Sequence, residues 1–146
     1  MKRTRITAFV LTVIMMVTSV FGNNDMNVKV AKASASVKYE KEKTYNGSGF
    51  SVKYVIENQW ENQYIANVYI TNTGTETIEN WELAYESMDE ITNIWNANIT
   101  YHAATNYNIK NAEHNQNIQP GATVSFGFQA SFTGSEIKTP DMNHRK

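Results

Sequence analysis

The chain has 146 residues, a formal net charge of −1 and no cysteine. The near-neutral charge argues against nucleic-acid binding, which needs a basic surface. The lack of cysteine excludes a thiol nucleophile, a cysteine-based zinc site and a lipid anchor through cysteine, and it leaves apolar burial rather than disulfides to stabilise the fold.

The N-terminal segment has the pattern of a secretory signal. Residues 1–5 carry three positive charges, Ile6–Phe21 is apolar and uncharged, and Ala31-Lys32-Ala33 has the small-x-small pattern of a cleavage site. A transmembrane anchor is the alternative, but the apolar run is shorter than the roughly 20 residues that span a bilayer. We therefore predict a signal peptide over 1–33 and a secreted, extracellular mature chain without membrane contact.

The next segment, 34–48, is polar and charged, and we expect a leader that is loosely ordered at first and joins a strand near its end. From Phe50 onwards the sequence alternates with a period of two, as half-buried strands do. Val52, Tyr54 and Ile56 face one way. Further strands are predicted over Tyr64–Thr71, Trp81–Tyr85, parts of Ile91–Tyr101, Tyr107–Ile109 and Thr123–Phe132.

Turn residues separate these strands, at Asn72–Thr75 and at Pro120–Gly121. No segment has helical periodicity. Short strands at regular spacing predict an all-β fold, an antiparallel β-sandwich of jelly-roll or immunoglobulin-like type over 49–134. Residues 135–146 are polar and do not alternate, so we expect a disordered tail there.

The three tryptophans fall into two classes. Trp81 alternates with Leu83 and Tyr85, which predicts a place in the core. Trp60 and Trp95 are bracketed by amide residues, which predicts surface positions.

Exposed tryptophans usually have a binding partner. A flat indole can cover the C–H face of a pyranose ring, and side-chain amides can both donate to and accept from its hydroxyl groups. Phosphate or carboxylate ligands would call for arginine or lysine instead. Tryptophan with asparagine therefore indicates a neutral glycan as the partner.

Catalysis finds little support in the sequence. Glycosidases need two positioned carboxylates, whereas the acidic residues here are scattered as on a solvated face. His102, His114 and His144 lack metal-ligand spacing. We expect no catalytic residues, no metal and no cofactor.

A set of short strings occurs in a fixed order between Val52 and Gly134: Asn58-Gln59-Trp60, Ala66-Asn67-Val68, Thr71-Asn72-Thr73-Gly74, Trp81-Glu82-Leu83, Ile94-Trp95-Asn96-Ala97, Pro120-Gly121 and Phe126-Gly127-Phe128-Gln129. Together they resemble the family 2 carbohydrate-binding module, the bacterial cellulose-binding type attached to cellulases and xylanases. The resemblance implies a β-sandwich without catalysis that adsorbs to insoluble polysaccharide through a flat aromatic face.

The resemblance also implies site residues. Trp60 and Trp95 match two of the family's three surface tryptophans, and Trp81 matches the buried one. The polar positions beside the aromatic face correspond to Asn58, Asn67 and Asn93, and a basic position corresponds to Lys110. His114 stands where the third surface tryptophan is usual, which implies weaker binding to crystalline cellulose. The xylan-binding branch of the family uses only two tryptophans.

Two departures from the family pattern concern the ends of the domain. The cysteine pair that joins those ends is missing, and so is the last strand, which predicts an uncovered sheet edge. Two hypotheses remain open. The chain is either a binding module for cellulose or a related plant cell-wall glycan such as xylan, as the accessory of a secreted glycoside hydrolase, or a structural or adhesive surface β-domain without sugar binding.

Overall fold

The computed structural model describes residues 37–140. The chain divides into Met1–Ala33 and Ser34–Lys146, and all the described residues belong to the second unit. The predicted signal peptide lies outside the described residues. Within residues 37–140 no helix is long and apolar enough to cross a membrane.

Ten strands and one short 3-10 helix make up the described fold. The strands are β1 Lys38–Tyr39, β2 Glu42–Gly47, β3 Phe50–Trp60, β4 Gln63–Asn72, β5 Glu82–Glu86, β6 Glu90–Trp95, β7 Ala97–Ala103, β8 Asn106–Asn111, β9 Thr123–Ser131 and β10 Glu136–Ile137, with the 3-10 helix at Glu113–Asn115 between β8 and β9.

The strands form two antiparallel sheets, a five-stranded sheet in the order β2-β3-β4-β9-β6 and a three-stranded sheet in the order β5-β8-β7. Strands β1 and β10 make a small parallel pair. Alternation explains the core, because the inward side chains of both sheets join one buried cluster that includes Tyr54, Tyr64, Tyr107 and Phe128. The predicted all-β antiparallel sandwich is confirmed.

Trp81 lies in this core, 4% exposed, and its ring stacks on that of Phe126 with centroids 5.7 Å apart. The indole Nε1 donates a hydrogen bond to the carbonyl oxygen of Asn115 at 2.7 Å. The alternation argument for Trp81 is therefore confirmed, and the indole also anchors the 3-10 helix.

We expect the leader 34–48 to join a strand near its end, and the structure has strand β2 there, over Glu42–Gly47. Strand β2 pairs residue by residue with β3, from Glu42 opposite Val55 to Gly47 opposite Phe50. Its side chains alternate between exposed and partly buried positions. Glu42 lies at an exposed position and Lys43 at a partly buried one, so the charged residues do not mark one side of this strand.

The predicted disordered tail also begins too early. Residues 135–140 belong to the fold, since Ile137 in β10 is 2% exposed and the carbonyl oxygen of Pro140 accepts a hydrogen bond from the Tyr45 hydroxyl. One buried side chain in a two-residue strand gives no periodicity for sequence reasoning to detect. Residues 141–146 lie outside the described residues.

We expect an uncovered sheet edge, and the strand order shows which strands lie at the edges of the five-stranded sheet. The free side of β3 is paired with β2, so that β2 and β6 are the outer strands of the five-stranded sheet. The salt bridge between Lys53 and Glu42, 2.9 Å long, spans the junction of β3 and β2. The N-terminal strand β2 therefore covers the outer side of β3.

Candidate functional site

The outward side of the five-stranded sheet gathers most of the residues that the sequence singled out. Register pairing across β3, β4, β9 and β6 produces three adjacent rows on this side. The rows are Trp60-Gln63-Ser131-Glu90, Asn58-Ile65-Gln129-Asn93 and Asn67-Gly127-Trp95. We call this surface the tryptophan face.

A β-bulge in β3 brings Trp60 to this face. Ile56 faces the core at 1% exposure, and strict alternation would send Trp60 to the same side. The register skips Glu57, so that Asn58 pairs with Ile65 and Trp60 pairs with Gln63. The extra residue reverses the alternation, and Trp60 is 36% exposed.

A second bulge does the same in β6. Ile91 pairs with the buried Ala130, the register then skips Thr92, and Asn93 pairs with Gln129. Without the extra residue, Asn93 and Trp95 would share the core side of Ile91. Both candidate tryptophans thus reach the surface through a bulge near the start or end of their strand.

Trp95 rests on the backbone of β9. A Cβ atom added to Gly127 would come within 2.5 Å of Cε2 and Cζ2 of the indole, and within 2.5 Å of Oδ1 of Asn67. Only a residue without a side chain allows this approach. The ring therefore lies across Gly127 toward Asn67 while staying partly exposed.

Trp60 ends β3 beside the tight turn to β4. Glu61 in this turn has a positive φ of 48°, and its carbonyl oxygen accepts a hydrogen bond from Nε2 of Gln59 at 2.9 Å. With strands about 4.8 Å apart and residues about 3.3 Å apart along a strand, the positions of Trp60 and Trp95 are separated by roughly 20 Å. This distance suits an extended ligand rather than a single sugar ring.

Amide side chains occupy the space between the two indoles. Asn67 Nδ2 donates a hydrogen bond to Glu57 Oε1 at 3.4 Å, and Gln129 Nε2 donates one to Gln63 Oε1 at 2.6 Å. Sequence reasoning missed Gln63 and Gln129. The signal for Gln129 was its position two residues after Gly127, which places both on one side of β9.

His114 lies in the 3-10 helix and is exposed. The helix is tied to the end of β6, because Nδ2 of Asn115 donates a hydrogen bond to the carbonyl oxygen of Asn96 at 2.8 Å. His114 thus belongs to a segment attached beside Trp95 and not to a strand of the tryptophan face.

Lys110 does not join this surface. It lies in β8 of the three-stranded sheet, with Glu82 and Asn98 as its register partners. The resemblance implied a basic residue beside the aromatic face, but β8 belongs to the other layer of the sandwich.

The carboxylate with a perturbed pKa lies in the core instead. Asp89 is 7% exposed and accepts a hydrogen bond from the Tyr64 hydroxyl at 3.0 Å. Burial raises the pKa of Asp89, although the Tyr64 hydrogen bond and the charge of Lys138 oppose the shift. Its contacts are those of a structural network.

Among residues 37–140, no group of three or more His, Asp or Glu residues could hold a metal ion.

Comparison with known proteins identifies a family and several relatives. The model of the family described as "Cellulose binding domain" matches residues 50–145. Endoglucanase C of Cellvibrio japonicus is 32% identical over 99 residues, 67% of this chain and 13% of that protein. Endo-1,4-beta-xylanase A of the same organism is 34% identical over 90 residues, 61% of this chain and 14% of that protein. The similarity thus spans a small part of either relative.

Among solved structures, the cellulose-binding family 2 carbohydrate-binding domain of ScLPMO10C superposes with a TM-score of 0.50 at 26% identity. The match covers 61% of this chain and 88% of that domain. The similarity to both enzymes is confined to a segment of domain size. The chain therefore belongs to the cellulose-binding domain family, and the matched region is a non-catalytic polysaccharide-binding module.

Proposed function

We propose that this module adsorbs to cellulose or a related plant cell-wall glycan through Trp60 and Trp95. The observation that carries the proposal is the common outward side of the two indoles, with Asn58, Asn67 and Asn93 between them. A glycan chain lying across β4 and β9 would stack on both rings and meet amide groups in the intervening row.

Apolar stacking supplies the binding energy in this proposal. Each aromatic platform in a nucleic-acid site is worth on the order of 1–3 kcal/mol, and a sugar face on an indole is a comparable contact. Because the ligand is neutral, salt screening has little to act on. Adsorption is therefore expected to persist at high ionic strength.

His114 and the glycan preference belong to the same proposal. With two indoles on the face and an imidazole in the attached 3-10 helix, a xylan or another single glycan chain is the alternative ligand to crystalline cellulose. The xylanase relative supports keeping that alternative. The second class of function, an adhesive surface β-domain without sugar binding, predicts no adsorption to either polysaccharide.

The biological context of the module is also proposed. Its relatives are named as an endoglucanase and a xylanase, and the N-terminal signal pattern indicates export. A module of this kind would hold a secreted glycoside hydrolase, or the cell that carries it, on an insoluble substrate.

A depletion assay on microcrystalline cellulose and insoluble xylan tests the proposal. Trp60→Ala and Trp95→Ala should each lower affinity roughly 5- to 150-fold, the range that 1–3 kcal/mol implies. Tyr39→Ala, at a tyrosine 38% exposed in β1, is the matched control. Unchanged adsorption of both tryptophan variants would reject the tryptophan face as the binding site. Lack of adsorption by the natural sequence would favour the adhesive alternative.

A further inference from the structure

A third β-bulge lies in the three-stranded sheet. The register shifts of the two larger sheets, within the part of the chain described, fall in β3, β6 and β7. The first two turn Trp60 and Trp95 outward. The third acts between Ile99 and Tyr101, and it also turns an aromatic residue.

The third bulge works by the same geometry. Ile99 pairs with the buried Ile109, the register skips Thr100, and Tyr101 pairs with Asn108. Regular alternation would have kept Tyr101 on the side of Ile99. The bulge instead directs Tyr101 outward, where its 53% exposure exceeds that of every other aromatic side chain in residues 37–140.

Polar and small residues surround the tyrosine. Ala84, Asn108 and Tyr101 form one row across β5, β8 and β7. Ala84 has no bulk beyond its methyl group, so the row is a shelf about 10 Å wide that ends at the phenol ring. A depression around the edge strand β5 includes these three residues and Asn106 in its lining, together with inward residues of both sheets.

The basic residue Lys110, which is absent from the rows of the tryptophan face, lies beside this shelf. Lys110 occupies the next row, between Glu82 and Asn98. A second depression of about 600 Å³ includes Lys110, Asn98 and Thr100. Aromatic ring, amides and an ammonium group thus meet on a second surface of the domain.

We propose that the outward side of the three-stranded sheet is a second glycan-binding site. Tyr101 stacks on a pyranose ring there, while Asn106, Asn108 and Lys110 offer hydrogen bonds to its hydroxyl groups. The ligand class is a single neutral polysaccharide chain, because the carboxylate of Glu82, the register partner of Lys110, offsets the one positive charge of this surface. The proposal shares the ligand class of the proposed function but none of its residues.

Two sites on opposite layers of a sandwich face away from each other. They cannot bind one flat surface together, so each engages a separate glycan chain. The domain would then bridge chains, and bridging is a property that one site cannot produce.

An NMR titration of the full chain with cellohexaose and with xylohexaose separates the two sites. The natural sequence should show shifts around Trp60 and Trp95 and a second set around Tyr101 and Asn108. The double variant Trp60→Ala with Trp95→Ala should keep only the second set. Tyr101→Ala should keep only the first, while Tyr101→Phe, which retains the ring, should keep both.

Bridging gives an independent readout. The natural sequence should raise the viscosity of a hydroxyethylcellulose solution, and Tyr101→Ala should lose most of that rise, whereas Tyr39→Ala should lose none. Ala84→Arg fills the shelf without changing the phenol ring and should act like Tyr101→Ala. Circular dichroism checks that each variant is folded.

The proposal is overturned if neither oligosaccharide shifts the signals of Tyr101 and Asn108, or if Tyr101→Ala and Ala84→Arg both leave those shifts and the viscosity unchanged. Failure of the proposed function gives a different pattern. In that case the tryptophan variants change nothing while the Tyr101 variants still act.

Discussion

The indole of Trp95, in β6, lies across Gly127 of β9, which is the neighbouring strand in the five-stranded sheet. A Cβ atom on Gly127 would approach two indole carbons to 2.5 Å, closer than real Cβ atoms come to other atoms. The orientation of a candidate binding residue therefore depends on the absence of a side chain on the next strand.

Gly127→Ala should move the Trp95 ring off β9 and weaken adsorption to cellulose by on the order of 1 kcal/mol, about fivefold. The fold should survive, because alanine is at least as favourable as glycine within a strand. Tryptophan fluorescence should change with the displaced ring. Ser125→Ala, at the next outward position of β9, is the control and should alter neither the emission nor the adsorption. Unchanged adsorption of the Gly127 variant would separate ring orientation from binding.

Trp81→Ala should destabilise the domain by about 3–5 kcal/mol, as loss of a buried aromatic ring usually does. Trp81→Phe keeps most of the packing on Phe126 and loses the hydrogen bond to Asn115, so it should cost only about 1 kcal/mol. Urea unfolding measures both changes. If the alanine variant kept full stability, Trp81 would not be the core residue that its 4% exposure indicates.

Much of the fold could be predicted because the pattern of residues within each strand shows which side chains face the core. Alternation in β3, β4 and β9 identified the inward residues, and the alternation of Trp81 with Leu83 and Tyr85 separated the core tryptophan from the others. The rows of the tryptophan face could not be derived in this way, since they depend on bulges at Glu57 and Thr92 that no local pattern marks. The burial of Ile137 was missed because its stabilising contacts are distant in sequence.

The buried hydroxyl groups of Tyr85 and Tyr64 differ in their hydrogen bonding. The Tyr85 hydroxyl is buried without a hydrogen-bond partner in the described part of the chain, whereas the Tyr64 hydroxyl donates to Asp89 and accepts from Tyr54. An unsatisfied buried polar group costs free energy, and a satisfied one stabilises. Tyr85→Phe should raise the free energy of unfolding by on the order of 1 kcal/mol. Tyr64→Phe should lower it, and chemical denaturation of both variants gives the comparison. A loss of stability in Tyr85→Phe would mean that this hydroxyl has a partner in solution.

Asp89 should make stability depend on pH. Burial raises its pKa in the folded state, so the folded chain holds this proton more tightly than the unfolded chain. The contribution of this group is therefore fully present below the unfolded pKa of about 3.9 and is lost as pH rises through the folded pKa. Asp89→Asn should remain stable over that range, and its gain in melting temperature over the natural sequence should be larger at pH 7 than at pH 4. Glu90→Gln, at the exposed neighbour, is the control. A gain that does not grow with pH would show that Asp89 is ionised in both states throughout the range.

His114→Trp tests whether the 3-10 helix can extend the tryptophan face. The helix is fixed at two points, by Asn115 Nδ2 on the carbonyl oxygen of Asn96 and by Trp81 Nε1 on the carbonyl oxygen of Asn115. An indole at position 114 would thus be carried on an ordered segment beside Trp95. An indole covers more of a sugar face than an imidazole, so adsorption to crystalline cellulose should become stronger, while binding to a short xylan chain should change less. Glu113→Trp moves the same ring by one residue and should not reproduce the gain. Equal binding by the natural sequence and His114→Trp would mean that position 114 lies off the ligand path, and the two-tryptophan surface for a single glycan chain would then be the whole of this site.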